Sequence, residues 1–378
     1  MAVLAGLAPA QAQTVPPTPG EGGWQACMAT AASDARLACF DQWAKQQPQP
    51  AAAGAAAAAR GAAAPTAASA ANNPPAAGTS VDPLVPATRV ISITSEKGCH
   101  DPQYSNLSRF WELETGSDCG TFGIRGYRPI SVSLIAASSV NTQPTSGNPD
   151  NNALAATAYR KTETRLQLSV RTKLAQGLLT GSHPTLKDSL WFGYTQQSYW
   201  QLFSGGISRP FRSTDHEPEA IYVYPTDFTL PLGWRVRYSG AGIVHQSNGQ
   251  ALPLSRSWNR LIGGVALERD DWVAELRAWK RITEAPEDDD NPDISDHVGR
   301  VELRMARYWG EHALSLQLRH SMRSGSRSRG SAQVDYVFPL AGALHGQLQL
   351  FSGYGESLID YNLRQTKAGL GITIAGWR

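Results

Sequence analysis

The sequence predicts an all-β fold: a twelve-stranded antiparallel transmembrane β-barrel with a packed polar interior, preceded by a small disulfide-bearing N-terminal segment and a disordered Ala/Pro-rich linker. Three observations support this prediction. Apolar and polar residues alternate in about twelve segments between residues 120 and 377, which recur roughly every 20–25 residues, as spanning strands joined by loops do. The polar faces of these segments carry Arg, Glu and Gln. No uninterrupted apolar run reaches the roughly 18 residues of a membrane-spanning helix.

The alternation is clear in the stretch "TRLQLSVR". Leu166, Leu168 and Val170 face one way, while Arg165 and Gln167 face the other. Strict alternation gives a strand one apolar and one polar face. The same pattern recurs in the segments 272–278, 300–305, 314–319, 332–338 and 367–374. A soluble β-sandwich would also alternate, but charged residues inside the strands and the regular recurrence favour the barrel.

The N-terminal part of the chain indicates export. Residues 1–12, within "MAVLAGLAPAQAQ", are typical of the end of a signal peptide, although the usual basic start is missing. Residues 13–46 form a predicted cysteine module with Cys27 and Cys39. Cys99 and Cys119 follow in a predicted pre-barrel segment, residues 91–119. Four cysteines allow three pairings, of which we predict the nearest-neighbour one, and disulfides persist outside the cytosol.

Residues 47–90 separate these two parts. They are rich in Ala, Pro and Gly, so they cannot bury a core and are predicted to be a disordered linker. The barrel is predicted to occupy residues 120–378. The formal net charge of the chain is only +2, which gives no strong field for nucleic acid, and we expect no nucleic-acid partner.

The stretch "HQSNGQALPLSRSWNR" contains the most informative polar pattern. His245 and Ser247 are two residues apart, so on a strand they share one face. Gly249 and Pro253 predict a turn, and the resulting hairpin would pair His245 with Asn259. A serine becomes a nucleophile when an imidazole takes its proton, and a third group must orient that imidazole. The alternative is a polar hairpin with an incidental histidine, and no G-x-S-x-G motif supports an ordinary α/β hydrolase.

This hairpin resembles the active-site hairpin of the outer membrane phospholipase A family. The blocks "YTQQSYWQL", "SRPFRSTDHEPEAIY", "DDDNPDISD" and "SGYGESLIDYN" also resemble that family, in the same order, over most of residues 185–375. The resemblance implies a twelve-stranded barrel in the Gram-negative outer membrane that hydrolyses the sn-1 and sn-2 acyl esters of phospholipids and lysophospholipids. It implies Ser247 as nucleophile, His245 as base, Asn259 as orienter and the Gly249 amide as oxyanion donor.

The resemblance also implies a Ca²⁺ cofactor and an active homodimer. Its calcium ligands would be Ser208 from the neighbouring chain, the Gln250 carbonyl and the Ser255 hydroxyl, with Asp290 belonging to a site in the monomer. Oxygen ligands of this kind suit a hard cation. A polar side chain in lipid gains by bonding its twin, so Gln196 is the candidate interface residue. An inward-facing Gln196 is the alternative.

Two other function classes remain open at this point. A passive outer-membrane barrel, porin-like or structural, would explain every alternating strand but not the His-x-Ser pair with Asn259. A lipid A deacylase can also use His and Ser on the outer face of a barrel, although the "SRSWNR" and "SGYGESLIDYN" blocks argue against it. The chain ends in Trp377-Arg378, so a terminal aromatic signal for barrel assembly would be read one residue in.

Overall fold

The computed structural model describes residues 25–45 and 98–374. The predicted signal peptide, the Ala/Pro-rich linker, residues 91–97 and the terminal Trp377-Arg378 lie outside these ranges. No helix in either described range is long and apolar enough to cross a membrane.

The helices are α1 (Gln25–Met28), α2 (Ser33–Lys45), α3 (Asn106–Trp111) and α4 (Ile294–His297). The strands are β1 (Arg125–Gly126), β2 (Ser131–Ala137), β3 (Thr162–Gln176), β4 (Ser189–Trp200), β5 (Ser213–Thr229), β6 (Arg235–Ser247), β7 (Ser257–Arg269), β8 (Trp272–Arg281), β9 (Val301–Trp309), β10 (His312–His320), β11 (Gly330–Ala341), β12 (Leu344–Gly353) and β13 (Gln365–Thr373). Single 3-10 turns lie at Gly98–His100, Thr115–Ser117, Pro149–Asn151, Pro231–Gly233 and Gly325–Arg327.

Strands β2 to β13 form a closed ring of twelve. Each pairs antiparallel with the next strand in the chain, and β13 pairs back onto β2, with Leu370 opposite Leu134. The two-residue strand β1 adds to β3 outside this ring. Closure leaves none of the ring strands with an unpaired edge. The predicted twelve-stranded antiparallel barrel is therefore confirmed.

The two faces of the wall differ in polarity as the alternation predicts. Glu275, Arg277, Glu302 and Arg304 line the interior cavity, whereas Leu276, between two of them in sequence, is 47% exposed on the outer wall. The inward charges pair with one another, for example Arg304 with Glu302 at 2.7 Å and Arg277 with Glu275 at 2.7 Å. A low-dielectric interior tolerates charges only when they are paired in this way. The packed polar interior is thus confirmed.

Two disulfides join sequence neighbours, as predicted. Cys27 and Cys39 connect α1 to α2 in the N-terminal part, and Cys99 and Cys119 close the segment that contains α3. Helix α2 carries an acidic residue in its first turn and Lys45 in its last, which complements the helix dipole.

Helix α3 packs into one end of the barrel. Trp111 at its end is 3% exposed, and its ring meets the edges or faces of Tyr127, Trp191 and Tyr238 at centroid distances of 6.0, 5.7 and 5.6 Å. Edge-to-face contacts of this kind add to the free energy gained from burial. Since Tyr238 lies near the start of β6, α3 fills the end of the barrel opposite to the β6–β7 loop.

An aromatic belt lies on the outer wall near the start of β8 and the end of β9, at the same end of the barrel as α3. Trp309, His312 and Tyr336 stack in parallel, and the Arg307 guanidinium lies over the rings of Trp272 and Trp309 at 5.6 and 5.8 Å. Aromatic girdles of this kind mark the boundary between hydrocarbon and water in outer-membrane barrels.

Candidate active site

The β6–β7 hairpin holds the predicted catalytic residues. His245 pairs directly with Asn259 across the two strands, so the pairing expected from the sequence is confirmed. The Nδ1 atom of His245 lies 2.9 Å from the Oδ1 atom of Asn259, within hydrogen-bond distance. An Asn oxygen in this position can accept a proton from Nδ1 and so orient the imidazole.

These side chains face outward from the barrel. Val244 and Gln246 line the interior cavity, so the alternate residues His245 and Ser247 belong to the outer wall. Ile243, two residues before His245 on the same face, is 57% exposed. The predicted catalytic groups therefore border the surface that meets lipid, and not the lumen.

Ser247 ends strand β6 and has polar neighbours on both sides. It pairs with Ser257 of β7 and with His216 of β5. Within the described residues its hydroxyl makes no hydrogen bond, and of the three predicted catalytic residues His245 and Asn259 are the two that are hydrogen-bonded to each other. In a free enzyme the bond between nucleophile and base is often long and shortens when substrate binds.

The loop after Ser247 is fixed by Asn248. This buried side chain donates from Nδ2 to the Leu254 carbonyl at 2.8 Å and accepts at Oδ1 from the Arg256 amide at 2.9 Å. Gly249 follows with a φ of 62°, a left-handed conformation that costs glycine little. Its amide N–H has no acceptor among the residues that the structure describes. A free backbone donor two residues from the predicted nucleophile is the feature that an oxyanion site requires.

Two of the predicted calcium ligands lie together on the adjoining loops. The Ser255 hydroxyl donates to the Oδ2 atom of Asp290 at 2.7 Å, and the Ser257 hydroxyl donates to the same atom at 3.2 Å. Asn151 donates to the other carboxylate oxygen at 3.0 Å. Carboxylate and hydroxyl oxygens at the rim of the wall fit a hard divalent cation. Ser257 was not predicted, although its spacing of two from Ser255 in "SRSW" is a signal for a shared face.

The other two predicted ligands are placed differently. The Gln250 side chain donates from Nε2 to the Arg212 carbonyl at 3.1 Å, which leaves its own backbone carbonyl as the group in question. Ser208 lies in the loop after β4, where its carbonyl accepts from the Trp200 indole at 2.5 Å. No hydrogen bond within the described part of this chain joins Ser208 to Ser255 or Asp290.

Gln196 faces outward. Its neighbour Gln197 lines the interior cavity, so Gln196 lies on the outer wall and the inward-facing alternative is wrong. There the Tyr194 hydroxyl donates to Gln196 Oε1 at 3.1 Å and lies 2.7 Å from His216 Nδ1, and Gln196 donates to Ser198 at 3.2 Å. A connected polar strip thus runs over β4 and β5 to His216, which pairs with Ser247.

A second residue that the sequence did not predict contacts Asn259. Glu284, three residues beyond β8, accepts from Asn259 Nδ2 at 2.8 Å and from Arg281 at 3.0 Å. Nothing in the local sequence indicates it, since the contact depends on the β7–β8 register, in which the Ile282 amide donates to the Asn259 carbonyl at 2.8 Å.

Comparisons with known proteins agree with this fold. The family model for phospholipase A1 matches residues 107–374. A putative phospholipase A1 of Neisseria meningitidis serogroup B is 37% identical over 276 residues, covering 71% of this chain and 70% of the relative. Phospholipase A1 of Salmonella typhimurium is 38% identical over 215 residues, covering 57% of this chain and 70% of the relative.

Two solved structures are similar in sequence and in fold. The outer membrane phospholipase dimer of Salmonella typhi with bound calcium has a TM-score of 0.60 and 32% identity, covering 69% of this chain and 95% of that one. Outer membrane phospholipase A of Escherichia coli has a TM-score of 0.58 and 32% identity, covering 67% and 98%. The resemblance inferred from the sequence is confirmed: this outer-membrane β-barrel belongs to the phospholipase A1 family.

Proposed function

We propose that this chain is a calcium-dependent outer-membrane phospholipase that hydrolyses the sn-1 and sn-2 acyl esters of phospholipids and lysophospholipids. The observation that supports it best is the 2.9 Å contact between His245 and Asn259 on the outer wall, with Ser247 two residues away on the same face. The curated relatives named phospholipase A1 support the same activity.

The proposed reaction follows from the placement of these groups. The Ser247 hydroxyl attacks the ester carbonyl of a lipid beside the wall, and His245 Nε2 takes its proton. Asn259 Oδ1 accepts from Nδ1–H throughout, which keeps Nε2 free to act as the base. The carbonyl oxygen, now negatively charged, accepts from the Gly249 amide. The proton on His245 then passes to the departing alcohol, and water completes the cycle by hydrolysing the acyl-serine.

The calcium requirement is proposed from the oxygen cluster at the rim. Ser255 and the carbonyl of Gln250, with Ser208 from a neighbouring copy, would hold the ion in the active dimer, and Asp290 with Ser255 would hold it in a monomer. When bound, the ion supplies positive charge beside the ester carbonyl. The Salmonella typhi relative is a dimer with bound calcium, and an outward-facing Gln196 supports a homodimer of this chain.

The test is Ser247→Ala, with Ser239→Ala as a control on the same strand and the same face. We expect Ser247→Ala to abolish phospholipid hydrolysis and covalent labelling by a sulfonyl fluoride, while the barrel keeps its heat-modifiable migration. Ser239→Ala should retain both activities. Hydrolysis of phospholipid by the Ser247→Ala protein would overturn the assignment. Folded wild-type protein that cleaves lipid A and leaves phospholipid intact would favour the deacylase, and one that cleaves neither would favour a passive barrel.

A further inference from the structure

Glu284 occupies the side of Asn259 that faces away from His245. Asn259 Nδ2 donates to Glu284 Oε1 at 2.8 Å, while Asn259 Oδ1 lies 2.9 Å from His245 Nδ1. The carboxylate is held in turn by Arg281, which donates to Glu284 Oε2 at 3.0 Å and to Asp289 at 2.5 Å. Two carboxylates share this one guanidinium, so the Arg281 cluster keeps a negative charge.

The contact with Glu284 determines which end of the Asn259 amide faces His245. The two ends of an Asn side chain have nearly the same shape, and only their partners decide which end points where. An ionised carboxylate is an acceptor only, so Glu284 can face the NH₂ end of Asn259 and not its oxygen. The oxygen must then face His245, whose Nδ1 must carry the proton. This leaves Nε2 unprotonated, which is the tautomer that a base requires.

The negative charge of Glu284 also favours catalysis by His245. Asn259 is neutral and cannot by itself stabilise an imidazolium as an Asp would. A hydrogen bond to an ionised acceptor is roughly twice as strong as a neutral one, and it polarises the amide so that more negative charge lies on Oδ1. A Ser-His-Asp triad places its carboxylate directly beside the imidazole. In this chain Asn259 lies between the imidazole and the carboxylate of Glu284.

We propose that Glu284 is a positioning residue that fixes the amide orientation of Asn259, and through it the catalytic tautomer of His245, while supplying the negative charge that the triad otherwise lacks. The proposal rests on the function proposed above. It predicts an effect on turnover and not on substrate binding, because Glu284 contacts the proposed triad only through Asn259.

Three single variants separate orientation from charge. Glu284→Ala removes both the acceptor and the charge, whereas Glu284→Gln removes the charge but keeps an oxygen that can accept from Asn259. Glu287→Ala removes one carboxylate from the same loop, where the described residues offer it no hydrogen bond or ion pair. We expect Glu284→Ala to lower kcat about threefold, less than the loss of Asn259 itself, with KM within about twofold of wild type. The kcat of Glu284→Gln should lie between those of Glu284→Ala and wild type, and the kcat of Glu287→Ala should match that of wild type.

A double variant gives a readout that a merely structural role would not move. Asn259→Asp places a second carboxylate against Glu284, so repulsion should leave that variant strongly impaired. Adding Glu284→Gln should restore much of its activity, because the Gln amide can donate to the new carboxylate. Glu284→Gln would then harm the wild type and help the Asn259→Asp protein.

Labelling of Ser247 by a sulfonyl fluoride keeps this test distinct from the test of function. Every Glu284 variant should label to the same stoichiometry as wild type, but more slowly. An unchanged kcat in Glu284→Ala, or a further loss when Glu284→Gln is added to Asn259→Asp, would overturn the proposal. Unlabelled Ser247 in a folded, active wild type would instead overturn the proposed nucleophile.

Discussion

Replacing Asn259 by Ala should slow the enzyme less than replacing His245. The Asn259→Ala variant loses the 2.9 Å contact to His245 Nδ1 but keeps the base. A hydrogen bond between neutral groups contributes about 0.5–1.5 kcal/mol and one to a charged group about 1.5–3 kcal/mol. The imidazole is neutral in the ground state and becomes charged in the transition state, so only the difference, about 1–1.5 kcal/mol, affects kcat.

A loss of that size corresponds to roughly a tenfold fall in kcat, since about 1.4 kcal/mol is a factor of ten in rate. His245→Ala removes the proton acceptor altogether, which typically costs about 10²–10⁴ in rate. The assay is release of fatty acid from mixed micelles by detergent-solubilised protein in calcium, with heat-modifiable migration as the check on folding. Equal and complete loss in both variants would refute the reasoning, because Asn259 would then do more than orient the base. Wild-type turnover in Asn259→Ala would refute it from the other side.

Two further predictions concern stability and assembly. The Arg212 side chain is 2% exposed and lies between Glu163 and Asp360. Arg212→Met should lower the free energy of unfolding by about 3–5 kcal/mol because two buried carboxylates lose their cation. Arg235→Met, at an exposed ion pair, should lower it by less than about 1 kcal/mol. Denaturant midpoints followed by tryptophan fluorescence measure both, and equal shifts would contradict the burial argument. In sedimentation experiments, calcium should promote dimerisation of the wild type and should promote it only weakly in the Ser208→Ala variant. A chelator should abolish activity reversibly. Full activity of a calcium-free monomer would contradict both expectations.

Much of the barrel could be predicted from sequence because each strand separates two solvents. Lipid outside and a polar, ion-paired interior impose the period of two directly on residues such as Leu276 between Glu275 and Arg277. The His245–Asn259 pair was predictable for a related reason. Both residues belong to one hairpin, and a short loop sets the register of its two strands.

Contacts between more distant elements could not be predicted in this way. His216 lies beside Ser247 through the β5–β6 register, which shifts between Pro225 and Phe228, and no local pattern reveals such a shift. Glu284 reaches Asn259 from an irregular segment beyond β8. Loop residues have no alternation to follow, so the approach of Asp290 to Ser255 and Ser257 needed the folded chain, even though the family resemblance had indicated Asp290 and Ser255 separately.

The outward orientation of His245 and Ser247 determines how an ester can arrive. Molecules that meet this wall diffuse laterally in the leaflet around the barrel, so encounter is a search in two dimensions. The effective substrate concentration is then the mole fraction of glycerophospholipid in the adjoining leaflet, whatever the total amount in the cell. A leaflet from which such lipid is excluded would leave a fully assembled catalyst idle without any inhibitor. The turnover of the enzyme would therefore report the difference in lipid composition between the two leaflets.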